Sequence, residues 1–470
     1  MAELYKDYLK ELFEKKNKHD VGKAIDVLPF LSKRTRALRG RFNKVLGEYV
    51  RNICDLELDS KSLKKQDFYL SEDENEFSEH IAEKVEFSNG DDKYDFVRFL
   101  DQYLFNKEDI KLIHPFLFNY IKVDKKNKNE FSKYAQFMND TLVTSRSDLK
   151  AIFNNKETED ILTELVLSQL DVLKETNEKG REYKPLLPSL SKLYQEDLMY
   201  LSKYKDYFLS SFPLLTQFYV FMYACQLVNK FERFTDADYD NLDPLYFSLE
   251  WESLSKRRQA AGELDSFKYI KEKLPNLFPH IHTMSQLSHN KANITEEELD
   301  EEKKKIDLLT YRDIIMLVEK GELNETQFYE ELKEWVSEYT TLQKIDQDTT
   351  FSDLKEGMKE LFQCLKIGMS STVSKRYGEN VEDIGANQFI KNRGSLGQVL
   401  NIKHDFLLLL TAVSVKENRV PLKELFDEFQ KRGVILDRYT KKEVTQLLDN
   451  LNIIDKKSDS GDAQYVKPIL

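Results

Sequence analysis

Glycine and proline are scarce, 15 and 10 residues in a chain of 470. With so few breakers between long charged and aromatic stretches, a mainly helical protein is expected. Cysteine is scarcer still. Cys54, Cys225 and Cys364 lie far apart and form no CxxC pair, the pattern of thiols in a reducing cytoplasm. Positive charge is also in deficit: the net charge is −12, which argues against a protein that coats nucleic acid everywhere but leaves room for a local basic patch. The N-terminal stretch MAELYKDYLKELFEKK is charged and amphipathic and has no apolar core of a signal peptide. The longest uncharged run, 207–229, is long enough for a bilayer but carries Ser210, Ser211, Pro213, Thr216, Gln217 and Gln226. A buried core helix is expected there, and a soluble cytoplasmic protein without membrane contact. GxxxxGK[ST], HExxH, paired CxxC and GxSxG are all missing, and the glycines of RGSLGQ (393–398) have the wrong spacing for a dinucleotide loop. Neither a cofactor nor catalytic activity is expected.

What is present is a hydrophobic fraction of 40%, enough for real cores, in a length that suits roughly two or three domains. A loop richer in Gly, Pro and Ser, NEKGREYKPLLPSLS, suggests a boundary near residue 180. Gly368, Gly378, Gly385, Gly394 and Gly397, a third of all the glycines, fall within 367–402. The expected organisation is a helical subdomain over 1–180, a second over 181–366, a glycine-containing connector over 367–402, and a terminal domain over 403–470. Within the first, segments 95–105 and 107–121 suggest a helical hairpin.

A helix is expected from about Ser32, and it carries the sharpest basic cluster in the chain: Lys33, Arg34, Arg36, Arg39, Arg41 and Lys44, uninterrupted by acid. Such a cluster suits phosphate contact. The competing reading is pairing with an acidic surface of the same protein or of a partner, and SEDENEFSEH (71–80) offers one. Lys256, Arg257 and Arg258 form a shorter run, expected on a solvated helix face. The aromatics of FPLLTQFYVFMYACQLV are expected in a core rather than as a stacking platform. His280, His282 and His289 suggest a metal site only weakly, because no Cys or acid sits at a recognised spacing.

The terminal stretch is the most specific. Leu422, Leu425, Phe426 and Phe429 recur at helical spacing, and Gly433 ends that helix. Thr440 and Glu443 suit a capping box, with Tyr439 and Val444 as a staple, opening a second helix that buries Val444, Leu447, Leu448 and Leu451. A hairpin pairing Ile453 and Ile454 with Tyr465 and Val466 across SDSGD follows. That order predicts a mainly α protein: a multi-helical body with a small C-terminal winged helix-turn-helix (α+β) domain. In such a module the second helix enters the major groove. The candidate DNA-binding residues are Lys441, Lys442, Thr445, Gln446, Lys456 and Lys457, together with Arg34, Arg36, Arg39 and Arg41. Residues 431–470 hold eight Lys/Arg against six Asp/Glu, a modest net of +2. Docking to a protein therefore competes with DNA contact.

The segments KNRGSLGQVLNIKHDFLLLLTAVSV and NLNIIDKKSDSGDAQYVKPIL resemble the DptG family of DNA-phosphorothioation-dependent restriction. The likeness is carried by 393–401, 405–410, 431–433 and 457–466, with SLEWESLSKRR and NLFPHIHTMSQLSHN adding to it in the middle of the chain. The resemblance implies a non-catalytic accessory subunit of an anti-phage defence complex. It would work with DptF-like and DptH-like subunits that carry the nucleotide-driven steps, on double-stranded DNA lacking the modification. The other function open to these residues is that of a free-standing winged-helix transcription regulator, for which the large body is unusual.

Overall fold

The computed structural model describes residues 2–16, 22–58, 75–106, 109–121, 123, 125–158, 160–168, 170, 173–252, 267–299, 301, 304–346, 349–456 and 464–470. Helix makes up 61% and strand 9%, so the chain is mainly helical with small sheets. It divides into two compact units. One comprises Met1–Gly40, Glu182–Leu193 and Gln217–Leu470; the other comprises Arg41–Arg181 and Tyr194–Thr216.

The smaller unit is organised by the helices Asn43–Cys54 and Lys128–Leu142 and the 3-10 turn Pro115–Tyr120. Phe118, Phe153, Phe208 and Phe212 form its aromatic centre, with Phe118 and Phe212 edge to face at 4.9 Å. Arg51 is buried there and donates to the carbonyls of Asn119 (2.7 Å) and Ile121 (3.2 Å) and to Glu48 (2.8 Å). The expected hairpin of helices is absent among the described residues. Helix Gly90–Leu104 forms, but 111–114 is irregular and only the short 3-10 turn follows. Pro115 lacks an N–H and suits the first turn of a helix but not its interior.

The larger unit contains the fully buried strand Leu245–Leu249. It pairs in parallel with Gln398–Ile402 on one side and Val434–Ile435 on the other, and Ile390–Asn392 adds antiparallel beyond Gln398–Ile402. Residues 367–402 are therefore not a connector. They supply the helices Ser371–Gly378 and Asn380–Gly385 and two strands of this sheet. Nor do residues 403–470 separate as a compact unit, because Val434–Ile435 is an edge of the same sheet.

Helix Lys205–Glu232 contains the long uncharged run. It is apolar and long enough to cross a membrane, yet 78% of its apolar window is buried. Phe218, Tyr219, Phe221 and Tyr223 are each at most 1% exposed, as expected of core aromatics. Phe221 stacks on Phe389 at 5.5 Å and Phe218 meets Phe406 at 4.7 Å.

From 404 onward the order is helix His404–Val415, strand Val420–Pro421, helix Leu422–Lys431, strand Val434–Ile435, helix Arg438–Asn450, and strands Ile454–Lys456 and Gln464–Val466. The last two pair antiparallel, Ile454 opposite Val466 and Asp455 opposite Tyr465. Val420–Pro421 adds a third strand beside Gln464–Val466. Gly433 ends its helix at φ +81°, and a Cβ there would meet Met222 Sδ at 3.0 Å. Gly433→Ala combines a left-handed backbone with this close approach. It is expected to cost about 1–3 kcal/mol, measured as a lower urea midpoint at unchanged slope. A midpoint equal to that of the parent chain would show that Met222 simply moves aside.

Candidate nucleic-acid interface

The terminal helix starts earlier than its sequence suggests. Asp437 is the N-cap: its Oδ1 accepts from the Thr440 amide at 2.7 Å and its Oδ2 from the Tyr246 hydroxyl at 3.1 Å. A carboxylate at this position satisfies an otherwise unpaired amide and complements the helix dipole. The Thr440 hydroxyl is thereby free for another partner and donates to the Glu252 carboxylate, 3.0 Å from Oε1 and 2.9 Å from Oε2. The expected capping box and staple are therefore replaced. Thr440 is fully buried against a residue remote in sequence, while Tyr439 is 63% exposed.

That shift of start changes which side chains the helix presents. Lys442 and Gln446 are exposed, as expected. Lys441 and Thr445 are half-buried: the Lys441 ammonium sits 5.1 Å from the Phe426 ring centroid, and the Thr445 hydroxyl donates to the Lys441 carbonyl at 2.7 Å. Two further residues, Arg438 and Asn450, are exposed and fall on the same row. Arg438, Lys442, Gln446 and Asn450 stand four residues apart, so they share one helix face. All four carry hydrogen-bond donors and none is acidic. Placing the start at Thr440 hid Arg438; recognising Asp437 as a cap is the signal that finds it. Glu443, also exposed, lies beside this row.

On the small sheet, Asp455 is approached by Lys467 at 3.5 Å and Arg419 at 3.9 Å, so its charge is offset locally. Arg419 also lies over the Tyr465 ring, 6.0 Å from its centroid. Lys456 belongs to strand Ile454–Lys456, but its side chain, like all of Lys457, lies outside the described residues.

The N-terminal basic cluster is not a helix. Residues 33–42 run through bends and turns, with Arg36 at φ +60° and Gly40 at φ +71°, and the helix begins only at Asn43. Arg34 is committed to carboxylates of its own chain: Asp383 (2.7 Å to each oxygen), Glu379 (2.9 Å) and Glu382 (3.3 Å). Its acidic partners are these, on and beside helix Asn380–Gly385. Segment 71–74 of the expected acidic partner and the run 256–258 lie outside the described residues. Arg36 and Arg39 are exposed in the larger unit, and Arg41 is exposed in the smaller.

The smaller unit has an open cleft of about 390 Å³ floored by Tyr103, Leu112, Ile113 and Leu209, with Asp160 and Lys205 at its rim. Asp160 caps helix Ile161–Ser168 through the Thr163 amide (2.9 Å) and hydroxyl. No protein-family model matches the chain, and no curated protein matches it significantly.

The three histidines of 280–289 have separate roles within the larger unit. His282 Nδ1 is 2.9 Å from the Phe278 carbonyl, and His289 Nδ1 is 2.7 Å from the Ser285 carbonyl. His289 Nε2 accepts from the Lys23 amide at 3.2 Å. His280 is buried and stacks on Phe362 at 4.0 Å, with Nδ1 2.9 Å from the Tyr311 hydroxyl and Nε2 3.5 Å from Glu232. Burial drives the Glu232 carboxyl upward, but the nearby His280 ring, the hydrogen bond from Asn276 (2.6 Å) and the Lys273 ammonium (3.1 Å) overcome it and hold the group down at about 2. For His280, burial wins over the pull of Glu232 and lowers the pKa. The folded chain then keeps His280 neutral where the unfolded chain takes up a proton. This stability is complete above the ordinary histidine value of ~6.5 and falls as pH drops through it toward the folded value. His280→Gln is expected to flatten the fall in denaturation midpoint between about pH 7 and pH 5. Buried His114, lowered in the same direction, retains part of the slope. Parallel midpoint-versus-pH curves for parent and variant would refute this.

Proposed function

We propose that the chain is a non-catalytic accessory subunit of a DNA-phosphorothioation-dependent restriction complex, and that residues from 404 onward form a winged helix that contacts double-stranded DNA. The observation that carries the DNA contact is the acid-free row Arg438, Lys442, Gln446 and Asn450 on the exposed face of the terminal helix. The order helix, strand, helix, strand, helix, strand, strand supports the winged helix, with Val434–Ile435 given to the sheet of the body, as does the antiparallel pairing of the three outer strands. In such modules the equivalent helix lies in the major groove. The likeness of 393–401, 405–410, 431–433 and 457–466 to the DptG family supports the restriction system. It also supports DptF-like and DptH-like partners, and with them a cytoplasmic location.

The attachment of the terminal helix favours a fixed subunit over a free-standing regulator. Strand Val434–Ile435 and the bonds from Tyr246 and Glu252 tie its start to the body, so the helix is held in one orientation. Arg34 is not part of the proposed surface, because its guanidinium is already shared among three carboxylates.

Arg438→Ala with Lys442→Ala is expected to weaken duplex binding and reduce the slope of log K against log salt by roughly 2, since each phosphate neutralised by a cation adds about 0.9 to it. Titrations at several salt concentrations check this, with thermal midpoints confirming that the variant folds. Purification from the native host is expected to recover the chain with a nucleotide-hydrolysing partner. Recovery of the chain alone, bound tightly to a single promoter, would sink the subunit reading.

A further inference from the structure

The chain has two tryptophans, and they are placed differently. Trp335 is 1% exposed and its Nε1 donates to Gln286 at 3.0 Å. Trp251 is 46% exposed. It sits in the turn after the buried strand Leu245–Leu249, and that turn is firmly built. Arg393 donates to the carbonyls of Leu249 (2.7 Å), Glu250 (3.1 Å) and Glu252 (2.9 Å). The Glu252 carboxylate accepts from the Leu249 amide at 3.1 Å and from the Thr440 hydroxyl through both oxygens. The polar groups of the turn thus face inward, and a large indole is left outside.

The Glu252–Thr440 hydrogen bonds also bring the turn that carries Trp251 against the start of the terminal helix. Each partner has an exposed aromatic as its preceding residue in the chain: Trp251 before Glu252, and Tyr439 before Thr440. Arg438 and Lys442 are exposed on the same first turns of the terminal helix, and the exposed His404 ring lies 6.2 Å from that of Trp251. Three acids belong to the same segments. Glu250 lies 3.7 Å from Lys391, and Asp405 Oδ1 accepts from the Phe406 amide at 2.8 Å; Glu443 remains exposed.

Cations beside exposed aromatic faces are the chemistry that holds a nucleic-acid strand with unstacked bases. Inside a duplex the base faces are covered by their neighbours, so an aromatic side chain gains from stacking only where a strand is unpaired. We propose that Trp251 and Tyr439 form a stacking edge at the start of the terminal helix, so that this surface prefers DNA in which duplex gives way to an unpaired strand. The donor row holds the phosphates of the paired part, and the two aromatics take bases from the unpaired part. This inference rests on the DNA contact proposed above and adds the class of DNA structure recognised.

The test uses the full chain, a blunt duplex, and the same duplex carrying an unpaired tail of roughly ten thymidines. The tailed duplex is expected to bind at least about fivefold more tightly. Trp251→Ala and Tyr439→Ala are each expected to reduce that preference while leaving blunt-duplex affinity unchanged, and Trp251→Phe to retain it. A thymidine oligonucleotide is expected to quench the fluorescence of the parent chain but not of Trp251→Phe, because Trp335 is buried. Equal affinity for tailed and blunt duplex overturns the stacking edge. If Arg438→Ala with Lys442→Ala still weakens the blunt complex in that case, the duplex contact stands without it. Absence of binding to either DNA overturns both. Loss of a co-purifying subunit in Trp251→Ala, with DNA binding intact, overturns the proposal in favour of a protein contact.

Discussion

A strand buried along its whole length must find backbone partners on both edges, since an unpaired N–H or C=O away from water costs as much as a missing hydrogen bond. Leu245–Leu249 is such a strand, and much of the larger unit follows from how it is satisfied. One edge is closed by Gln398–Ile402, with the Ser248 hydroxyl donating to the Leu400 carbonyl 152 residues further along the chain. On the other edge Leu245 and Tyr246 pair with Val434–Ile435, drawn from between the last two long helices. The terminal helix thereby inherits its position from a sheet it does not belong to. Tyr246 and Glu252, within and just beyond the strand, complete the attachment at Asp437 and Thr440.

Four arginines act as internal organisers in this acidic chain. Arg51, Arg393 and Arg432 aim their guanidinium groups at backbone carbonyls, and Arg34 aims at three carboxylates. The planar fork of five donors suits such multiple acceptance better than an ammonium. Removing the partner of a buried charge is costly, whereas the assembled pair adds modest net stability, so these interactions do more to specify one arrangement than to strengthen it. A cluster of arginines in a sequence is thus an ambiguous sign of phosphate binding. Arg34 and Arg36 are two residues apart, yet one is enclosed by acids and the other is exposed.

The helical class, the core role of the aromatic run in Lys205–Glu232, the end of a helix at Gly433 and the pairing of Ile454 with Val466 were all legible in the sequence, while the expected turn SDSGD lies outside the described residues. Each depends on local chemistry: apolar period, a run too polar for lipid, a residue tolerant of positive φ, and apolar positions on two short strands. The exposure of Lys442 and Gln446 was legible for the same reason, since they lie opposite Val444 and Leu448 on an amphipathic helix. Strand Leu245–Leu249 was not. A five-residue buried strand has no alternation to distinguish it from a piece of helix. Without it, residues 367–402 look like a connector, because glycines close together suggest looseness. In the fold, a Cβ at Gly378 would meet the Leu274 carbonyl oxygen at 2.1 Å, and one at Gly385 would meet Phe221 at 2.4 Å. These glycines permit close packing.

The sequence by itself determined that the chain is mainly helical and that its last residues alternate helices with short strands, because period and turn chemistry act over a few residues at a time. Only the tertiary structure decided where the terminal helix begins and which of its side chains face outward. Both Asp437 and Thr440 can cap a helix. In the fold Asp437 takes the cap while Glu252, 188 residues away from Thr440, takes the Thr440 hydroxyl, and Arg438 and Tyr439 thereby lie in the first turn.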